Sequence, residues 1–146
     1  MSLDDWLRAG WIVRHKPDAK EIAKLLRIAD RDLADSQVWG LSADAKLGHA
    51  YHAALQSAAC ALAATGFRAS RDAYHMRVLR SLAYTVALDE PTVDLLDTFR
   101  KKRNFGDYTE AGLVSVAEAD EMVALALRIR AAVEAWQRKH HPELLL

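Results

Sequence analysis

Glycine and proline are scarce in this chain of 146 residues, at six and three. That scarcity excludes a linker-like or low-complexity chain and leaves long uninterrupted segments between the few breakers. Cysteine occurs once, at Cys60, which excludes an internal disulfide and any cysteine-based zinc site. No run approaches the roughly 18 apolar residues that a membrane-spanning helix needs, so no membrane segment is expected. An excess of one charge is missing too. Lys plus Arg equals Asp plus Glu at 20 each, so the formal net charge is zero. A protein that coats nucleic acid indiscriminately carries a strong basic excess, so any RNA contact here has to come from a local patch. The opening MSLDDWLRAG is acidic, unlike a secretory or organellar targeting peptide, and a cytoplasmic location is expected. Hydrophobic residues at 51% and charged residues at 27% are ordinary for a folded domain, and residues 1–146 are expected to form one.

What is present is helical periodicity. Ser2 and Asp5 make a capping box for a short first helix that Gly10 closes. Pro17 and Asp18 open a second, whose Ile22, Leu25, Leu26, Ala29 and Leu33 keep the three-four spacing of one buried face. Ser42 caps a long central helix ended by Gly66. Its stripe of Leu47, Tyr51, Ala54, Leu55, Ala58, Ala61 and Leu62 is mostly alanine, so a neighbouring backbone can approach closely. Ser70 is expected to start a fourth helix containing Val78, Leu79, Leu82 and Val86. Pro91 suits the first turn of a fifth, expected to stop near Gly106. Ser115 and Glu118 form a second capping box, and the last helix carries Val116, Ala119, Val123, Ala126, Val133 and Trp136 roughly in register. No stretch alternates with period two for long enough to argue for a strand. The expected fold is all-α, an antiparallel up-and-down bundle of four principal helices with short accessory ones.

The segment that asks for a function is Phe99 to Tyr108, FRKKRNFGDY, with four cations in a row. On a helical wheel Leu95, Leu96 and Phe99 define the apolar face of the fifth helix, Lys101 points nearly opposite, and Arg100 and Lys102 fall toward the edges. Acids early and cations late suit the helix dipole, and Asp97 with Lys101 is spaced for an i,i+4 pair. Arg103 is different, because it lies near the middle of the apolar face. A charge there needs a partner or water, so either an acid elsewhere meets it or the face opens onto a cleft between helices or between subunits.

RKKRN with a Tyr close behind, late in a helix of a domain this size, resembles the signature region of HEPN domains, the higher eukaryote and prokaryote nucleotide-binding domains. LSADAKLGHAYHAALQSAACALAATGFR is similar to their long second core helix, and SRDAYHMRVLRSL to the segment after it; the likeness covers about Asp18 to Trp136. The resemblance implies an antiparallel helical bundle that commonly forms a homodimer, with the Arg-Asn motifs of both subunits facing a shared cleft. Many members of that family are metal-independent RNases acting as toxins or defence effectors, often beside a nucleotidyltransferase partner.

The family motif is Arg, usually Asn, then four to six residues to a His. Arg103 and Asn104 match its first two positions, but the three spacings for the His hold Tyr108, Thr109 and Glu110. Metal-free RNA cleavage needs a base for the 2′-hydroxyl, a task suited to imidazole and poorly suited to a Tyr of ordinary pKa near 10. The leading expectation is therefore a degenerate member that binds a nucleotide or RNA phosphate, or a partner protein. Arg103 and Asn104 would hold the phosphate, with Arg100 and Tyr108 at the rim. The competing expectations are an RNase in which Asp107, Tyr108 or an outlying His takes the missing role, and a purely structural interaction module. His52 and His75 are the accessory candidates, because the resemblance puts their segments near the cleft. His49 and His52 lie three apart, but no carboxylate completes a metal set at helical spacing, so neither a metal nor a cofactor is expected. His140 and His141 end the last helix. Trp6, Trp11, Trp39 and Trp136 read as packing residues rather than base-stacking platforms, and Cys60 as a small buried hydrophobe. There is no phosphate-cradling glycine loop, nucleophile elbow or zinc-protease motif.

Overall fold

A computed structural model describes residues 1–108 and 113–145, and for 104–108 the backbone alone. Six helices account for most of it: α1 (Leu3–Arg8), α2 (Ala19–Ser36), α3 (Ala43–Ala64), α4 (Tyr74–Arg80), α5 (Glu90–Tyr108) and α6 (Val116–His140). The four long ones, α2, α3, α5 and α6, make the expected all-α bundle, and α1 and α4 are accessory.

Helix starts follow the caps in the sequence. Both capping boxes form, Ser2 with Asp5 and Ser115 with Glu118, and Asp18 and Ser42 each accept a backbone N–H three residues on. Asp89 accepts from the Thr92 backbone N–H and hydroxyl at the start of α5. Gly66, at φ +99°, turns the chain out of α3 in a conformation that favours glycine.

Two short strands, β1 (Ile12–Arg14) and β2 (Phe67–Ala69), pair antiparallel with Ile12 opposite Ala69 and Arg14 opposite Phe67. No strand was expected, since three residues are too few for a period of two to register. This pairing also corrects the start of α4. Residues 67–69 are held by β1, the Ser70 hydroxyl donates to the Gly10 carbonyl at 2.7 Å, and the helix begins at Tyr74 without a side-chain cap. Val86 falls beyond α4 and the 3-10 turn Ser81–Ala83 that follows it, although it still packs on the core.

Helix directions can be read from their ties. β1 leads into α2 and β2 follows α3, so their pairing puts the start of α2 beside the end of α3, and the two run antiparallel. Lys46 donates to Asp120 at 2.7 Å, joining the early turns of α3 and α6, which therefore run the same way. Lys102 pairs with Glu118, and Arg128 with Asp89 at 3.3 Å, so α5 runs against α6. The order is up, down, up, down.

The core is built on α3. Ala50, Ala53, Ala54, Ala58 and Ala61 are wholly buried, as are Ile22 and Ala29 of α2 and Met122 and Ala126 of α6. Methyl-sized side chains along α3 let both neighbours close on it at short range. Leu25 and Trp136 are only partly buried at the core's edge, and Val116 is exposed. Trp39 departs from expectation: it stands almost fully exposed on the α2–α3 connection, next to Gly40 at φ +90°, where the chain has left α2 and not yet entered α3.

Enlarging one seam residue tests this arrangement. Ala58→Leu should lower the urea midpoint by the equivalent of about 1–3 kcal/mol, because no space receives the added carbons. An unchanged midpoint would mean that α3 is not close-packed there.

Candidate functional site

Arg103 reaches a cleft. It lies on the face of α5 that buries Leu96 and Phe99, as its spacing predicts, and it is half-buried. Its guanidinium carbon stands 5.5 Å from the centroid of the Tyr51 ring on α3, within cation–π reach. The cleft is open, of about 620 Å³, with Arg100 and Arg103 on one wall and Arg71, Tyr74 and His75 on the other. The second wall depends on the late start of α4. Residues 70–73 run from β2 to the helix, and Ala73 adopts the left-handed region, φ 51°, directly before Tyr74 and His75. A non-glycine residue held there is strained by roughly 1 kcal/mol, which the β1–β2 anchor on one side and the helix on the other sustain.

Tyr51 lies behind the cleft, in contact with Arg103 and His75. It is 1% exposed, and its hydroxyl shares a 2.9 Å hydrogen bond with His75 Nδ1. Burial pushes the Tyr51 hydroxyl up to about 12, against the pull of Arg103 and Arg100, so it stays protonated at neutral pH. The His75 ring moves the other way. Burial first, then the positive charges of Arg103, His52 and Arg100, hold its pKa below the ordinary value of 6.5. His75 is therefore neutral at pH 7, beside two arginines.

The other cations of the cluster divide by role. Asp97 accepts from Arg100 Nε at 2.8 Å and pairs with Lys101 at 3.4 Å and Arg80 at 3.5 Å. Burial pushes the Asp97 carboxyl up, but these three cations outweigh it and hold it below the usual carboxylate value. Lys101 is in the expected i,i+4 pair and points to solvent. Lys102 ties α5 to the start of α6 through Glu118, whose carboxyl is drawn down to about 2, chiefly by that hydrogen bond. Arg100 and Arg103 are the two that line the cleft.

The helix runs through Gly106, where a stop was expected, as far as Tyr108, so the Arg-Asn pair lies within it. The side chains of Asn104, Asp107 and Tyr108 lie outside the described residues. Of the accessory histidines, His75 is in the cleft wall. His52 sits one step away, with Nδ1 on the buried Asp32 carboxylate and Nε2 3.1 Å from Gln56. His140 and His141 pack against Trp136, apart from the cleft. Cys60 is buried and its thiol is pushed up to about 12 by that burial, so it is inert as a nucleophile.

Two features escaped sequence reasoning. Arg71 and Tyr74 enter the cleft because β2 and the left-handed Ala73 aim them there, and the only signal was the cation and aromatic in ASRDAYH. Carboxylates also do reach His49 and His52, because α2 brings Asp32 and Asp35 alongside α3, which spacing along one helix cannot reveal. Comparison of the chain with protein-family models, curated proteins and solved structures finds no match.

Because the folded ring resists protonation, His75 stabilises the fold above the ordinary histidine value, and that contribution is lost as pH falls below it. An NMR titration should place the His75 midpoint below 6.5. Arg103→Met should raise it only part of the way back, since burial is the larger cause. A midpoint above 6.5 in the native protein would contradict the arrangement.

Proposed function

We propose that the cleft binds the phosphate groups of a nucleotide or of RNA, in a HEPN-like helical domain that acts by binding. The observation that carries this reading is that Arg103, from an apolar helix face, lines one open cleft with Arg71 and Arg100. Three guanidinium forks concentrate positive charge at one place on a chain with no net charge. Such forks suit planar, bidentate contact with phosphate oxygens. In the arrangement that the resemblance implies, two copies share the cleft and a nucleotidyltransferase is the partner, in a degenerate toxin–antitoxin system.

Filter binding of labelled single-stranded RNA tests it. Arg103→Ala and Arg71→Ala should each weaken binding about tenfold and make the salt dependence shallower by about one counterion. Lys101→Ala, with its cation turned to solvent, should change little. Wild-type protein that holds no RNA or nucleotide at low salt would sink the proposal. Sedimentation equilibrium on the same samples reads the dimer.

A second reading, a metal-independent RNase, is favoured by His75. A neutral imidazole beside two arginines has the parts that 2′-hydroxyl attack needs: a base, and cations for the charge developing on phosphate. It expects cleavage of RNA in excess chelator that falls at least about 100-fold in His75→Gln. Cleavage untouched by that change would remove His75 from the reaction, and no cleavage at all would leave the binding module.

A further inference from the structure

We infer that the α2–α3 seam carries a binding site for a divalent transition-metal ion, formed by Asp32, Asp35 and His49. Two i,i+3 pairs face one another across these antiparallel helices, Asp32 and Asp35 on α2 and His49 and His52 on α3. One oxygen from each Asp and one ring nitrogen of His49 all lie within 4.8 Å of each other. Donors around a bound zinc stand about 3.3 Å apart, a difference that small side-chain rotations close.

The surroundings favour an ion. Asp32 has a side chain only 5% exposed, and a buried carboxylate needs compensating positive charge. His52 Nδ1 holds its Oδ2, the kind of outer hydrogen bond that orients a ligating carboxylate. Among the described residues, its Oδ1 receives only two long contacts, at 3.2 and 3.4 Å, from Arg31, whose side chain is 62% exposed and free to swing away. Among the described residues, neither the Asp35 carboxylate nor the His49 ring makes a side-chain hydrogen bond or an ion pair, so both donors are available. Both also have solvent access, which supplies an entry path.

Two carboxylates with one imidazole, and no thiolate, suit a divalent ion of the zinc or manganese class, with water completing its shell. The imidazole disfavours magnesium and calcium, which take oxygen ligands. The site is independent of the phosphate reading, since none of its three ligands lines the arginine cleft. An ion there would clamp α2 to α3.

Calorimetric titration of the metal-stripped, tag-free chain with zinc and with manganese tests the site, with magnesium as control. The expected result is one zinc or manganese ion per chain, bound at least about tenfold more weakly by Asp35→Asn and by His49→Gln. The same affinity should persist in a His140→Gln, His141→Gln double variant. Zinc should raise the melting temperature of the native chain and not that of His49→Gln. Circular dichroism checks that both single variants stay folded, as is expected for partly exposed positions. Absence of uptake, affinity untouched by both single variants, or loss only in the C-terminal double variant would each overturn the proposal.

Discussion

Close approach along α3 is the constraint on which the rest of the structure depends. Five fully buried alanines let α2 and α6 press against the same helix from two sides. Packing at that range makes position matter more than size, since a methyl group has little freedom to adapt. It also fixes which polar groups on neighbouring helices come within reach. Asp30 of α2 meets Arg130 of α6 through two bonds of 2.8 and 3.1 Å, and Asp32 meets His52. These contacts follow from the seam; they do not create it.

Tyr51 is the large exception on that seam, and the cleft is built around it. Its ring occupies core volume while one face meets the Arg103 guanidinium and its hydroxyl meets His75. The side chain that completes the packing thus also touches two residues that line the charged site. Moving it would disturb both at once. Asp97 gathers Arg80, Arg100 and Lys101, and Asp94 meets Arg80, so Arg100 is held at the cleft by an acid of its own helix.

Most of the helical framework was legible in the sequence, because caps and periodicity are local. Ser2, Asp18, Ser42 and Ser115 each mark a start through a bond to a backbone three residues away, and the alanine stripe reports its own burial. Ser70 misled for a physical reason: its hydroxyl had a better acceptor in Gly10, sixty residues back, brought near by strands too short to leave a pattern. The site divided along the same line. Arg103 on an apolar face could be seen by counting residues. Arg71, Tyr74 and the Asp32–Asp35–His49 group could not, because each depends on which element lies beside which. Trp39 illustrates the reverse, an apolar residue whose exposure comes from the connection it sits on.

The β1–β2 pair has a bearing on how the molecule opens. Its bonds, continued by His15 N–H to the Gly66 carbonyl at 2.9 Å and Ser70 N–H to the Trp11 carbonyl at 3.0 Å, close the free end of the α2–α3 hairpin. Residues 11–70 thereby form a loop sealed upon itself, while α5 and α6 are added from outside it. The entropy of sealing grows only with the logarithm of loop length, so a few backbone bonds suffice. Separation of α5 and α6 leaves that seal intact, whereas parting the strands exposes the alanine seam from its end. The backbone amides of these two short strands are therefore the latch by which hydrogen exchange would distinguish loosening of the outer helices from unfolding of the centre.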